Sequence, residues 1–312
     1  MKTKLICVGG PTAVGKTALS IELAKHFHGQ VINGDAMQVY QGLDIGTAKA
    51  TLDERQGIPH HLLDIRSVDQ PYTVADFKRD AESEVEAIEA DQDLPILVGG
   101  TGLYLESFLF DLSLGGQVEP RPDFRRQMEA FADNHGNQAL HQKLVDLDPQ
   151  AAEKIHPNNV KRVIRALEVG TFSDQLFSQA KETHDDHHSP YDYYFIGLHC
   201  DRQRLYERIN HRVDLMVDQG LLQEAQWLLD QDLDPKSQSL QSIGYKEVFP
   251  YLRGEEDLET SLNRLKRNSR RYAKRQLTWL KNRMDQVHWY NLVEKEDSLA
   301  TVINDVAAFL EE

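Results

Sequence analysis

The stretch LICVGGPTAVGKT, residues 5–17, decides the fold. Leu5–Val8 is a short apolar run closed by Gly9-Gly10, the pattern of a buried strand. Gly10–Thr17 fits G-x-x-x-x-G-K-[ST]. Lys16–Phe27 then reads as a helix with Leu19, Leu23 and Phe27 on one face. Strand, glycine turn and helix in that order make an anion cradle. Successive backbone N–H groups point inward, and the helix N-terminus adds partial positive charge. Lys16 supplies a point charge, and the Thr17 hydroxyl is a ligand for Mg²⁺. A chance match in a glycine-rich turn is the alternative, but both flanking elements stand where the motif needs them. The loop predicts a polyphosphate. Pyrophosphate alone would satisfy it, so ATP is not required.

Working outward, Val31-Ile32 reads as a strand and Leu62–Ile65 as a possible further one. Tyr72–Ala90 reads as a helix, Pro95–Val98 as a strand and Gly102–Phe110 as a helix. This alternation predicts a parallel sheet covered by helices. Residues 113–192 break it with helical segments and no convincing strand. Strand character returns at Tyr193–Leu198. Long helices are expected over about 202–230 and 255–283, a last strand at Val287–Tyr290 and a closing helix over 297–311. The expected class is α/β: a P-loop NTPase-like parallel sheet flanked by helices, with an inserted all-helical domain. The core would span 1–112 and 193–312, and the insertion 113–192.

The 312 residues carry a net charge of −15, with 35 Lys+Arg against 50 Asp+Glu. No apolar run reaches 18 residues, so no membrane span and no membrane partner are expected. Met1–Lys4 runs straight into a strand and does not read as a signal peptide. Cys7 and Cys200 stand far apart in apolar surroundings, which predicts neither a disulfide framework nor a zinc site, and a reducing, cytoplasmic location. The acidic total argues at first against a nucleic-acid partner. Its distribution argues otherwise. Residues 80–93 hold seven acids and no base, with Phe77, Ala81, Val85 and Ile88 at helical spacing, which reads as a solvated face over an apolar stripe. Between Leu262 and Arg283 stand nine bases and no acid. A helix so charged repels itself, so something anionic should meet it, or else the protein's own acids.

A metal-assisted phosphotransfer enzyme would carry an acid at the end of the strand that follows the loop. Ile96-Leu97-Val98 ends instead in Gly99-Gly100-Thr101-Gly102, while Val31-Ile32-Asn33-Gly34 delivers Asp35. Ligands of open α/β sheets bind at the strands' C-terminal ends. Asp35 is therefore a base or a metal ligand, a helix N-cap being the structural alternative. Thr101 is an N-cap candidate for the helix after it. His184–His188 (HDDHH) suggests a metal at first sight, but polar loop filler explains it better.

Several segments follow in order: GPTAVGKT at 10–17, GDAMQVYQGLDIGTAK at 34–49, PHHLLDI at 59–65, VADFKRDA at 74–81 and VGGTGLYLESFL at 98–109. HPNNVKRVIRALEV at 156–169, LYERINHRVDLMVDQGLLQEA at 205–225, SIGYKEVFPYL at 242–252 and RRYAKRQLTWLKN at 270–282 complete the series. It closely resembles the bacterial tRNA dimethylallyltransferase (tRNA isopentenyltransferase) family over residues 5 to about 290. Residues 170–190 depart from the pattern.

The resemblance implies transfer of a dimethylallyl group from dimethylallyl diphosphate to N6 of the adenosine 3′ of the anticodon in tRNA, with Mg²⁺ and release of diphosphate. It implies a diphosphate site of Gly10, Pro11, Thr12, Ala13, Val14, Gly15, Lys16 and Thr17 with Arg212, Arg208 being a weaker candidate one turn away. Asp35 would be the base at N6 and Thr101 a neighbour of the same adenine. Lys16, Arg212, Asp35 and Thr101 form the expected catalytic set. Contacts to the tRNA anticodon stem–loop would come from Asp35, Ala36, Met37 and Gln38, from Thr101 and Arg125, and from Lys161, Arg162, Val163, Ile164 and Arg165. Ser242, Ile243, Gly244, Tyr245, Lys246 and Glu247 complete that surface, with Tyr245 suited to an unstacked base. The family also implies a monomer. The competing class is a P-loop small-molecule kinase, which shares the 10–17 loop but has little use for the basic helix. A non-enzymatic RNA-binding protein would leave a complete phosphate loop idle.

Overall fold

The computed structural model describes residues 2–112, 118, 121–179, 188–295 and 298–312. Six parallel strands form one sheet: β1 (Lys4–Gly9), β2 (Gly29–Asn33), β3 (His60–His61), β4 (Leu94–Gly99), β5 (Asp192–Leu198) and β6 (Val287–Tyr290), in the order β3-β2-β4-β1-β5-β6. The helices are α1 (Lys16–Phe27), α2 (Leu52–Arg55), α3 (Val74–Ala90), α4 (Gly102–Leu109), α5 (Pro122–His135), α6 (Asn137–Leu147), α7 (Pro149–Lys154), α8 (Val160–Phe172), α9 (Arg202–Asp218), α10 (Leu221–Leu229), α11 (Phe249–Leu252), α12 (Leu258–Arg283) and α13 (Ser298–Glu311). The chain divides into two compact units, 2–110 with 189–312, and 111–188.

In the first unit, Ile6, Val8, Val31, Ile96 and Ile196 from four strands meet Leu19 and Leu23 of α1 and Val302 and Val306 of α13. All are buried, and full burial of one such side chain stabilises by about 1.5–3 kcal/mol. The acidic helix α3 buries the expected stripe of Phe77, Ala81, Val85 and Ile88 and starts at a capping box between Thr73 and Asp76. No described helix is long and apolar enough to cross a membrane.

Two expectations need correction. The strand expected at Leu62–Ile65 is displaced: pairing stops at His61, and Leu62 and Asp64 take positive φ, which ends extended structure. The helix expected over 202–230 is two helices, because Gly220 sits at φ +107 between α9 and α10. Residues 184–187 of the histidine-rich segment lie outside the described residues.

The regular elements described in the second unit are all helices, α5 to α8. Leu140, Leu144, Ile155, Val163, Ile164 and Leu167 form its core. Within it the fully buried Glu168 carboxylate receives Arg125 at 2.6 Å, Arg165 at 2.7 Å and the Arg121 N–H at 2.8 Å. Burial alone would raise the Glu168 pKa, but the hydrogen bonds from Arg125, Arg121 and Arg165 hold it below the usual carboxylate value.

Candidate active site at the ends of three adjacent strands

β2, β4 and β1 are neighbours, so the segments leaving their C-terminal ends converge. β1 delivers the phosphate loop, β4 delivers Gly99–Thr101, and β2 delivers Gly34-Asp35. The last two touch through the Gly34 N–H, which donates to the Val98 carbonyl at 2.7 Å. A side chain at Gly99 would place its Cβ 2.3 Å from the Gly34 oxygen, so this crossing requires glycine. A cavity of about 850 Å³ opens here, lined by Lys16, Asp35, Thr101, Arg212, Ser242 and Tyr272 among others.

Gly15 at φ +106 turns the loop into α1. The Lys16 ammonium donates to the carbonyls of Gly10 at 3.0 Å and Pro11 at 2.9 Å, leaving one of its three protons for a ligand. Burial lowers its pKa to about 8, with Asp35 opposing and Arg212 assisting that shift. α9 supplies two guanidiniums: Arg212 reaches the Thr12 hydroxyl at 3.3 Å, and Arg208 donates to the Ala13 carbonyl at 2.8 Å. Burial also holds the Arg212 pKa below its ordinary value.

On the opposite side, Asp35 is fixed at both ends. Its N–H donates to Asn33 Oδ1 at 3.0 Å, and its Oδ1 accepts the Met37 N–H at 2.9 Å. That is a local turn and not a helix cap. Burial raises the Asp35 pKa, and the Met37 N–H and the Lys16 charge oppose the rise. Thr101 stands at the head of α4 but makes no capping bond; its Oγ1 accepts the Ala36 N–H at 3.2 Å instead. The cap expected there is replaced by a bond that ties the β4 segment to the β2 segment.

Two site residues went unread in the sequence, Tyr272 and Gln276 of α12. Gln276 is buried, accepting the Thr12 N–H and donating to the Gly100 carbonyl, each at 2.9 Å. The Tyr272 hydroxyl interacts with Thr101 and Gln276, and burial beside Asp35 raises its pKa. The signal was there: Leu265, Ser269, Tyr272, Gln276 and Leu280 recur on one face of the basic helix, so polar groups sit in an otherwise apolar stripe.

The residues expected to contact RNA differ in their surroundings. Val163 and Ile164 are core residues, 0 % and 3 % exposed. Arg125 and Arg165 are engaged with Glu168. Lys161 and Arg162 are exposed. Tyr245 offers no stacking face, since it is wholly buried with its hydroxyl 2.5 Å from Glu224. Glu247 is also buried, accepting from the Gly244 N–H and the Asn268 amide at 3.0 Å. Burial wins at these positions because the α8 spacing and the close approaches at Gly46 and Gly244 turn them inward. Ser242, Ile243, Gly244 and Lys246 do line the cavity, as do Ala36, Met37 and Gln38.

The basic helix meets both of its expected fates. Arg264 pairs with Glu256, Lys266 with Asp214, and Arg283 lies 3.9 Å from Glu106. Arg267, Arg271 and Lys274 are exposed at i, i+4 and i+7 on one face.

A phosphate-loop anion cradle facing a half-buried carboxylate at the ends of adjacent parallel strands defines the class, an α/β enzyme of the P-loop type. The family model for IPP transferase matches residues 38–283. The tRNA dimethylallyltransferase of Enterococcus faecalis is 49 % identical, covering 99 % of this chain and 98 % of that protein. That of Halalkalibacterium halodurans is 47 % identical, covering 100 % and 99 %. Among solved structures, the full-length tRNA isopentenylpyrophosphate transferase of Bacillus halodurans aligns with a TM-score of 0.75 at 46 % identity, covering 99 % of this chain and 97 % of that one. A eukaryotic dimethylallyltransferase acting on tRNA aligns with a TM-score of 0.83 at 30 % identity, covering 98 % and 80 %. The chain belongs to the IPP transferase family.

Proposed function

We propose that this chain is a tRNA dimethylallyltransferase. It transfers the dimethylallyl group of dimethylallyl diphosphate to N6 of the adenosine 3′ of the anticodon and releases diphosphate. The observation that supports this best is the pairing of opposites in one cavity: Lys16, Arg212 and the loop N–H groups on one side, Asp35 and Thr101 on the other. The allylic C–O bond breaks and its electron pair leaves with the diphosphate, whose charge falls on the loop, Lys16 and Arg212. Adenine N6 attacks the allylic carbon and becomes cationic. A nitrogen so alkylated is strongly acidic, so an ionised Asp35 within reach takes its proton. The base must leave its stack to enter, and single-stranded loop bases do so at least cost.

Mg²⁺ fits the residues present. The Thr17 hydroxyl is exposed on the cavity wall with no protein partner, and Mg²⁺ is typically held by one or two protein oxygens plus phosphate oxygens and water. Thr17 would hold it, and the ion would add charge neutralisation at the leaving diphosphate. Among the described residues no group of three or more His, Cys, Asp or Glu side chains is placed to hold a metal ion elsewhere. The kinase reading falls away: β4 ends in glycines without an acid, and the relatives are named as tRNA-modifying enzymes. A monomer working in the cytoplasm completes the proposal.

The test is incubation with labelled dimethylallyl diphosphate, Mg²⁺ and unmodified tRNA carrying adenosine 3′ of the anticodon. Label in the RNA is the expected result. Phosphate release from ATP with no label in the RNA would overturn it.

A further inference from the structure

Glu224 of α10, near the end of the 205–225 segment, has been given no role so far, yet its carboxylate accepts four hydrogen bonds. Oε2 takes the N–H groups of Asp44 at 3.0 Å and Ile45 at 2.9 Å. Oε1 takes the N–H of Gly46 at 2.9 Å and the Tyr245 hydroxyl at 2.5 Å. Three successive backbone N–H groups aimed at one point form a nest, an anion-binding concavity. Here the protein fills the nest with its own side chain. Charge-assisted bonds of this kind are about twice as strong as neutral ones.

The contact is built to be close. A Cβ at Gly46 would fall 2.4 Å from Tyr245 Cζ, and one at Gly244 would fall 2.9 Å from the Gly46 oxygen. The 44–46 turn therefore rests directly on the 244–245 segment. From that turn the chain runs to the cavity. The Gln38 side-chain amide donates to the carbonyls of Thr47 at 3.1 Å and Ala48 at 3.3 Å. Gln38 follows Met37, whose N–H holds the Asp35 carboxylate. Gly46, Thr47, Ala48, Gln38 and Gly244 all line the cavity.

We propose that Glu224 and Tyr245 are positioning residues for the acceptor side of the site, holding the 44–48 turn, and through Gln38 the backbone beside Asp35, in the shape that receives the target nucleotide. The inference rests on the prenyl-transfer reading. The diphosphate loop has no bond to this network, so the donor side should not feel its loss.

The test uses Glu224→Gln and Tyr245→Phe in the full chain. The single amide oxygen of Glu224→Gln can accept from the Asp44 and Ile45 N–H groups or from the Gly46 N–H and the Tyr245 hydroxyl, and not from both pairs. Tyr245→Phe removes one bond of the four and leaves the ring in place. Expected for Glu224→Gln is a rise of tenfold or more in KM for an anticodon stem–loop, with KM for dimethylallyl diphosphate changed less than twofold. Tyr245→Phe should show the same split at smaller amplitude. Stem–loop affinity by fluorescence anisotropy and inorganic diphosphate affinity by calorimetry repeat the comparison without turnover. If the wild type binds the stem–loop but transfers no prenyl group, the function is wrong, and the two affinities still decide the positioning role. Equal losses on donor and acceptor sides, or a lowered Tm with both affinities intact, would overturn it.

Discussion

The side-chain oxygen of Gln276 accepts the backbone N–H of Thr12 at 2.9 Å, so one turn of α12 holds the tip of the phosphate loop. The same side chain donates to the Gly100 carbonyl at 2.9 Å, one residue before Thr101. Gln276 thus spans the two halves of the reaction. Gln276→Leu strands a buried donor and a buried acceptor, at about 1–3 kcal/mol each. We expect transfer to fall by roughly tenfold or more, the equivalent of about 1.4 kcal/mol in the barrier. Gln276→Glu keeps the acceptor for Thr12, opposes two oxygens at Gly100 and adds negative charge beside the loop. It should weaken inorganic diphosphate binding more than Gln276→Leu does. Calorimetry of diphosphate and single-turnover transfer separate the effects. Unchanged values in both variants would reduce the contact to packing.

The residues that announce themselves in the sequence are those whose chemistry depends on local spacing. The phosphate loop is such a case: eight contiguous residues between a strand and a helix specify both a shape and a charge. Asp35 is another, since a strand's end places it. Gln276, Tyr272 and Glu224 are different. Each has at least one partner more than 170 residues away in sequence, and their local surroundings read as ordinary helix. Tyr245 reads two ways in sequence, because an aromatic beside a glycine and a lysine suits either a stacked base or a buried post. Burial decides between them, and burial is a property of the assembled fold. The helix break at Gly220 could have been read locally, as a glycine between two apolar repeats.

Asp35→Asn tests the two sides of the cavity at once. Loss of a positioned base costs about 10²–10⁴-fold in rate. Diphosphate binding at neutral pH should survive, because the loop and Arg212 remain. Asp35 also supports the charge on Lys16, so its removal should lower the Lys16 pKa further below about 8. The alkaline decline in donor affinity should then begin at lower pH in the variant. An unchanged pH profile would mean that Lys16 does not feel Asp35, and equal loss of diphosphate binding would mark Asp35 as a metal ligand or a structural group.

In the wild type, the Lys16 pKa of about 8 predicts where that decline falls. The group is charged below its pKa and neutral above it. Transition-state stabilisation from free enzyme and donor, kcat/KM, should be level just below 8, where Lys16 is charged and Asp35 is ionised. Above 8 it should drop by about tenfold per pH unit if the charge is required. Asp35 acts in the opposite sense: burial raises its pKa above 3.8, so it loses charge at a higher pH than an exposed carboxyl would. The profile is a bell whose alkaline limb belongs to Lys16. A flat profile through pH 9 would exclude Lys16 as an obligatory charge.

Arg267, Arg271 and Lys274 present three cations on one face of α12, whereas Lys266 is engaged with Asp214 at 2.5 Å. RNA phosphates are the natural counter-charge for an exposed row of this kind. Removing one phosphate-contacting cation should weaken binding across all sequences and reduce the salt slope by about one. Alanine at each of the three is expected to do this, while Lys266→Ala should leave the slope unchanged. Anisotropy titrations from about 50 to 200 mM salt measure it. Equal slopes for all four variants would remove this face from the RNA interface.

Arg125 offers the reverse test, because the resemblance assigns it to RNA and the structure engages it with a buried carboxylate. Glu168 has no solvent to fall back on: Arg125, Arg165 and the Arg121 N–H are what make its charge tolerable. Removing one partner of a buried ion pair costs about 3–5 kcal/mol. Arg165 remains in Arg125→Met, so about 2 kcal/mol is expected there, with more for Glu168→Ala. The pH dependence follows from the depressed Glu168 pKa. Its contribution is complete above the unfolded value near 4.5 and is lost as pH falls through the lower folded value. Acid should therefore open the helical unit in the wild type, and Glu168→Ala should flatten that response. Hydrogen exchange in α5, α6 and α8, with the sheet amides as internal reference, reports the unit separately. Arg125→Met should lower protection there while the salt slope of RNA binding stays as in the wild type. A reduced slope with protection intact would return Arg125 to the RNA interface.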